Sequence, residues 1–328
     1  MRSQRRLAAM IKRAFLPLSI AFLAVACRGG SATPSPSATP ALPTPTPGAS
    51  ASAGPTPTAT STETASGSIS HPAGGRDVVL RISVDGGLAG PQGFARNIPQ
   101  ITLYGDGRVI TNGPVDASYP GPALPNILVA RISEHGVQTI LAAAQQAGLL
   151  ERDHHYDLGG IFDAQTTTFF LDAAGGRHRT SAYALGLESG MGDGLPPADE
   201  LEARHVLSRF QATFLDLSSW LGADVVANDL PYAFDDLRIF VTPAEAGTDP
   251  DLPTQMLTWP LAHPLAEFGE AYPMGEGVRC GTVAGVDLLT LLPRLQGSNQ
   301  ETRWSSDDQL YRLILRPLLP DEAGCAQS

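Results

Sequence analysis

Between Arg28 and Gly75 the chain is built almost wholly from Ser, Thr, Ala, Pro and Gly, and Arg28 and Glu63 are its only charges. Eight prolines fall between Ser31 and Thr60. Such a composition buries too little apolar surface to offset the entropy of ordering the chain. Residues 27–75 are therefore expected to form a disordered linker, stiffened by proline toward extended conformations. At ~3.1 Å per residue, about 45 residues reach roughly 140 Å when extended and average roughly 40 Å as a coil. The Ser/Thr content also suits O-linked sugars. Any packed core is confined to residues 76–328.

What precedes the linker explains its position. Arg2, Arg5, Arg6, Lys12 and Arg13 form a basic start, and Ala14–Ala26 is then thirteen residues without a charge. As a helix that run spans roughly 20 Å, short of the ~30 Å hydrocarbon core of a bilayer. Residues 1–26 therefore read as a secretory signal peptide. Ala24-Val25-Ala26 is a small-x-small pattern that an ordinary signal peptidase accepts. The same residues followed by Cys27 resemble the bacterial lipobox, with Leu23 four residues before the cysteine where the commonest form has leucine three before it. That resemblance implies that Cys27 is lipidated and becomes the mature N-terminus. The expected location is the cell membrane, lipid-anchored on its extracytoplasmic face.

Cysteine parity points the same way. The chain has three cysteines, Cys27, Cys280 and Cys325. If Cys27 carries lipid, two remain, and an oxidising compartment favours a Cys280–Cys325 disulfide. There is no CxxC and no cysteine beside a ligand-spaced histidine, so a zinc or catalytic reading of the cysteines is poor.

Charge narrows the partners. Removing the five basic leader residues from 22 leaves 17 arginines against 33 acids, a mature net charge of −16. That charge argues against nucleic acid and against an anionic bilayer surface as partners. The absence of lysine after Lys12 is explained by codon bias and carries no function.

The remainder reads as α+β, antiparallel hairpins packed by two or three helices, with an α+β domain over 76–222 and a smaller α+β region over 223–328 closed by the disulfide. "DVVLRISVDG" (Asp77–Gly86) alternates as a strand. "QITLYGDGRVITNG" (Gln100–Gly113) is a hairpin turning at Gly105-Asp106-Gly107. "SEHGVQTILAAAQQAGLL" (Ser133–Leu150) is a helix capped by Ser133 and closed near Gly148, with Val137, Ile140, Leu141 and Ala144 on one side. "TTTFFLDAAGGRHRTSAY" (Thr166–Tyr183) is a second hairpin, turning at Ala174-Gly175-Gly176. Pro196–Leu221 is expected as the longest helix, its stripe Leu201, Val206, Phe210, Phe214 and Leu217. A strand follows at Asp235–Gly247, then a proline-rich loop through Pro264, a short helix near Val286–Gln296, and two strands within Gln300–Glu322.

The order of hairpin, helix, the Asp163-Ala164-x-Thr-Thr strand and a terminal "RPLLPDE" (Arg316–Glu322) resembles uncharacterised exported lipoproteins of GC-rich bacteria. The resemblance implies an exported, lipid-anchored protein and brings no activity with it.

The densest polar cluster is "ERDHHYDLGGIFDAQTTT" (Glu151–Thr168). His154, His155, Asp157 and Asp163 are its candidate metal ligands or acid/base groups. Adjacent histidines on extended chain point to opposite faces, however, and HExxH spacing is absent. A solvated loop whose aspartates cap turns is the favoured reading. "GLESG" (Gly186–Gly190) sets Ser189 one place too late for a nucleophile elbow, and SxxK is impossible after Lys12. The Gly186–Gly194 stretch is expected as a flexible loop, the best place for a partner contact. Asp249, Asp251, Asp307 and Asp308 lack the EF-hand pattern and read as turn residues. Trp220, Trp259 and Trp304 would make a sugar-stacking platform only if they shared a face, and core packing is the commoner use. "TWPLAHPL" (Thr258–Leu265) is the stretch expected to be most exposed, because proline keeps it out of a central strand.

No complete catalytic motif emerges and no cofactor is expected. The reading is a lipid-anchored binding or structural module whose partner is an envelope protein or glycan. The alternative is an extracytoplasmic hydrolase with a non-local site near His154, His155 and Asp163.

Overall fold

The computed structural model describes residues 67–115, 117–190, 194–245 and 254–325. The expected signal peptide over residues 1–26, Cys27, most of the expected linker, and Asp249 and Asp251 lie outside the described residues. The described residues belong to one compact unit.

Two sheets organise that unit. The first has eight strands: β1 (Val78–Gly86), β2 (Ile101–Tyr104), β3 (Arg108–Asn112), β4 (Ile127–Ile132), β5 (His154–Tyr156), β6 (Gln165–Ala173), β7 (Gly176–Tyr183) and β8 (Val225–Pro231), in the order β5-β7-β6-β1-β2-β3-β4-β8. The second has six: β9 (Asp236–Ala244), β10 (Met256–Thr258), β11 (Glu270–Ala271), β12 (Arg279–Ala284), β13 (Arg303–Ser306) and β14 (Gln309–Pro317), in the order β10-β13-β14-β9-β12-β11. Neighbours are antiparallel except β5/β7 and β10/β13, which are parallel. The described residues also hold five α-helices: α1 (Pro91–Arg96), α2 (Glu134–Gln146), α3 (Ala198–Thr213), α4 (Leu217–Leu221) and α5 (Gly285–Gln296). The fold is α+β with mostly antiparallel hairpins. The strand β8, which follows residue 222, belongs to the first sheet.

Local chemistry accounts for the elements read from sequence. Ser133 caps α2, its hydroxyl accepting from the Gly136 N–H at 3.1 Å, and Val137, Ile140, Leu141 and Ala144 are buried. The β2–β3 turn needs Gly107, at φ 78° and with the Ile132 carbonyl oxygen 2.5 Å from where a Cβ would stand. The β6–β7 turn is tighter than expected: Ala174 and Gly175 take positive φ, and Gly176 already begins β7. Asp307 and Asp308, at φ 49° and 61°, make the β13–β14 turn, as expected of turn residues.

Other expectations need correction. The helix expected over Pro196–Leu221 ends at Thr213 and restarts as α4. Asp216 causes the break: its carboxylate accepts from the Ser219 N–H at 2.9 Å and its hydroxyl at 2.6 Å, so it caps a new helix where a continuous one would run. The buried stripe of α3 is Arg204, Leu207 and Phe210, while Leu201 and Val206 are half-buried. Thr258–Leu265 is only partly exposed, at Thr258, Ala262 and His263. Trp259 and Leu265 are buried, and the Trp259 indole donates to the His263 carbonyl at 2.9 Å. The prolines allow this because the segment lies at the sheet edge, with β10 paired on one side only.

Trp259 packs edge-on against Trp304, centroids 5.9 Å apart, beside Leu288, Leu291 and Leu295 of α5. Trp220 packs instead with Phe210 and Phe214. Trp259 and Trp304 are core residues of one cluster, and the half-buried Trp220 packs against the other.

The segment after β14 binds both sheets. Leu319 is buried with Ile98, Tyr104, Ile110 and Ile127 of the first sheet and its approach. Asp321 accepts from Arg81 of β1 at 2.8 Å and from the Tyr104 hydroxyl at 2.5 Å. Glu322 holds Arg316 of β14 in two parallel bonds of 2.6 Å, and accepts from the Leu319 N–H at 2.9 Å. Arg316 Nε donates to the Asn97 carbonyl at 2.8 Å. The Cys280–Cys325 disulfide then ties the chain end to β12, with Cα atoms 6.0 Å apart.

Burial pushes the Asp321 and Glu322 carboxyls up. The hydrogen bonds and charges of Arg81 and Arg316 outweigh burial and hold both below the ordinary range. Burial, reinforced by Asp321, pushes the Tyr104 phenol far up, and burial raises Tyr232 to about 12.

Removing one partner of such a pair leaves an uncompensated buried charge, so Glu322→Gln is expected to cost about 3–5 kcal/mol in urea unfolding. Carboxyls depressed in the folded state stabilise fully above their unfolded values, near 3.9 for Asp and 4.3 for Glu. That stability is lost as pH falls through the lower folded values. Unfolding free energy should therefore drop between about pH 5 and pH 2, and less steeply in Glu322→Gln. Cys280→Ser should cost about 2–5 kcal/mol, because the bridge closes a 45-residue separation. Denatured, non-reduced protein should yield no thiol from Cys280 or Cys325.

Candidate functional site

A cleft of about 790 Å³ lies between the end of α3 and the β2–β3–β4–β8 side of the first sheet. Ile101, Thr111 and Leu128 stand side by side in register and supply part of its floor. Its wall is the broken helix. Because Asp216 stops α3 and restarts the chain as α4, Gln211, Ala212 and Leu215 face the cleft across a turn. Leu215 is 88% exposed, whereas its neighbour Phe214 is 6% exposed and packs on Phe210 and Trp220.

Polar groups in the cleft are mainly uncharged amides. The Gln211 side-chain amide donates to Gln100 Oε1 at 2.5 Å. The Gln100 nitrogen and the Gln211 oxygen have no partner among the described residues. Asn112 lies on the β3 side, and Asn228 and Asp229 on β8. Asn228 donates to Ser218 Oγ at 3.1 Å. No basic residue lines the cleft among the described residues, and its acids are Asp216 and Asp229. Hydrogen bonds from Ser219 hold Asp216 below the usual carboxylate range. It is a cap held ionised, and a poor proton donor near neutral pH.

The fourth side is a sheet edge. β8 is the terminal strand, and its outer side pairs with no strand among the described residues. Val226 is 71% and Leu230 47% exposed along it. Its pairing with β4 shifts register twice near Val129 and Arg131, and Asp229 takes φ 54°.

The cluster singled out from sequence is placed elsewhere. His154 and His155 sit on β5 and face opposite ways, as extended chain requires. The His154 ring stacks on Tyr156 at 5.5 Å and accepts from Arg152 at 3.1 Å. With Glu151, Glu202 and Tyr156 it lines a hollow of about 260 Å³. His155 is exposed and hydrogen-bonds the Ser181 hydroxyl at 2.8 Å. Asp157 accepts the Leu158 N–H at 2.9 Å, and Asp163 holds a left-handed turn at φ 57°. Neither joins the histidines. Among the described residues no group of three or more His, Cys, Asp or Glu is placed to hold a metal ion.

The Gly186–Gly194 loop is anchored rather than free at its described start. Glu188 is buried and accepts from Arg204 Nε at 2.7 Å, and Arg204 Nη2 donates to the Tyr183 carbonyl at 2.7 Å. Burial raises the Glu188 carboxyl, but backbone hydrogen bonds and Arg204 bring it below its ordinary range.

No protein-family model, curated protein or solved structure matches this chain. Among the described residues no helix is long and apolar enough to cross a membrane.

Sequence reading missed the cleft because its parts are far apart and individually bland. Gln100 and Gln211 are 111 positions apart. "VVANDLP" (Val225–Pro231) hides β8, since Asn-Asp-x-Pro reads as a turn. The one available signal was the Leu215-Asp216-x-Ser-Ser cap inside an expected helix.

Truncating the packed ring and the exposed side chain beside it should separate fold from site. Phe214→Ala is expected to cost about 3–5 kcal/mol in urea unfolding, and Leu215→Ala to stay within ±0.5 kcal/mol.

Proposed function

We propose that the protein is a lipid-anchored extracytoplasmic binding module, held to the membrane through Cys27, whose cleft receives an extended polypeptide segment of an envelope partner. The observation that carries the binding half is the open edge of β8 beside an amide-lined cleft. An extended peptide can continue the sheet along a free edge through main-chain hydrogen bonds, while the neighbouring cleft takes alternate side chains. Gln100 and Gln211 offer an unpaired donor and acceptor, the complement of a peptide amide. The aliphatic floor and exposed Leu215 suit apolar side chains, and the lack of basic residues in the lining among the described residues disfavours an anionic ligand. Trp259 and Trp304 are buried in one cluster and Trp220 packs against another, which weighs against a shared stacking platform for glycans.

What supports the anchor is parity. Cys280 and Cys325 are bonded to each other, and Cys27 is the remaining cysteine, at the end of a leader and the start of a low-complexity tract.

Two measurements test the two halves. Mass spectrometry of the membrane-fraction protein should find an N-terminal peptide beginning at Cys27 with acyl chains; a free Cys27 thiol on protein recovered from culture fluid overturns the anchor. A photo-crosslinker at Leu215 should capture a discrete envelope polypeptide, and Gln211→Ala with Asn228→Ala should reduce the yield about tenfold. The same crosslinker at Arg177, exposed on β7, should not capture it. Equal capture at both positions, or a glycan adduct at Leu215, overturns the peptide reading.

A further inference from the structure

A second feature lies on the opposite kind of surface, basic within a strongly acidic chain. Arg303 and Arg312 face each other across the β13–β14 pair. Both reach Glu301: Arg312 Nη2 lies 2.7 Å and Arg303 Nη1 3.4 Å from the same carboxylate oxygen. The other oxygen of Glu301 accepts from the Tyr119 hydroxyl at 3.0 Å. A third guanidinium enters from α1. Ala95 packs on Ile314, and the Asn97 carbonyl accepts from Arg316, so α1 crosses the face of β14 that carries Arg312, Ile314 and Arg316. Arg96 lies between those two contacts and within the field of Glu301, Arg312 and Tyr119. Arg303 and Arg312 thus share one carboxylate, and Arg96 lies in its field without touching it; the three guanidiniums and Glu301 sum to a local charge of +2 in a mature chain of −16.

The arrangement is incompletely satisfied. Arg312 Nε is buried and has no hydrogen-bond acceptor. Arg96 makes no hydrogen bond or ion pair among the described residues. Burial and the charge of Arg312 lower the Arg96 pKa, and Glu301 only partly offsets them. A buried guanidinium N–H without an acceptor costs free energy that an oxyanion recovers. Solvent access exists on the Tyr119 side, where the ring is 64% exposed. Arg303, by contrast, is committed, donating to the Glu245 and Glu301 carbonyls.

We infer that Arg96 and Arg312, with Tyr119 at the rim, form a binding site for a phosphate-type dianion. Planar guanidiniums with parallel N–H groups match phosphate oxygens two at a time, and a dianion neutralises the local +2. Glu301 limits affinity by competing for Arg312. This site is separate from the cleft and stands whether or not the cleft binds peptide.

The test is isothermal titration of the intact mature chain with inorganic phosphate at constant ionic strength, with chloride as the reference. Saturable one-to-one binding is expected. Arg96→Gln should weaken it about tenfold or more, since a charge-assisted hydrogen bond is lost. That variant breaks no bond of the folded chain, and its circular dichroism and melting temperature should match the parent. Glu301→Gln should tighten binding several-fold by releasing Arg312, a result that a purely structural role for the cluster does not produce. Glycerol phosphate as a second probe separates sources: binding of both supports a site open to esterified phosphate, and binding of inorganic phosphate alone supports one restricted to the free ion. No heat beyond that of chloride, equal affinity in Arg96→Gln, or weaker binding in Glu301→Gln overturns the inference.

Discussion

The clasp formed by Asp321 and Glu322 is the constraint on which the arrangement of the two sheets rests. Two adjacent carboxylates reach in different directions. Asp321 takes Arg81 and Tyr104 of the first sheet, and Glu322 takes Arg316 of the second. Ionised groups buried this deeply are tolerated only when each is paired and hydrogen-bonded. Each arginine here therefore requires its acid, and the acids sit next to each other on one short segment. Leu319 adds apolar burial against the first sheet two residues after β14 has left the second. The disulfide then limits how far this segment can move from β12.

With the two sheets joined through the chain end, their remaining faces are free for separate uses. The first sheet carries α2 and α3 residues in its main cluster, and the interruption at Asp216 opens the cleft beside the β8 edge. The second sheet buries Trp304 and Trp259 with α5 on one face. On the other it carries a row of arginines beneath α1. One such arginine, Arg316, is satisfied by the clasp; Arg312, four residues earlier on the same face, is shared with Glu301 and only partly satisfied. A single strand thus contributes to both a structural ion pair and the partly satisfied arginine cluster.

Much of the fold was legible where the determinants are local. Ser133 followed by an apolar stripe dictates α2, and glycine or aspartate at positive φ dictates the hairpin turns, because these effects act within a few residues. Elements set by distant partners were not legible. β5 and β10 are three-residue strands held in parallel pairs, β5 with a strand 26 residues on and β10 with one 47 residues on. Nothing in "HHY" or "MLT" announces them. Thr258–Leu265 misled for a related reason: proline excludes a central strand, but an edge strand tolerates it, and Trp259 could still turn into the core. Of the candidate site, the His154–Asp163 cluster was visible because it is contiguous. The cleft and the arginine site were invisible because each gathers residues more than a hundred positions apart.

The sequence by itself determined where the hairpins and α2 occur and that Cys280 and Cys325 can pair; it set the start of the packed part too late, since Ile69 packs on the first core and its N–H donates to the Gln138 side chain at 2.8 Å. Those conclusions depend on composition, counting and interactions of short range. Only the tertiary structure decided that Asp321 and Glu322 divide between two sheets, that Asp216 breaks a helix to open a cleft, and that α1 crosses the face of β14 that carries Arg312. Long-range electrostatics and burial choose such partners, and a linear order of residues carries no distance between them.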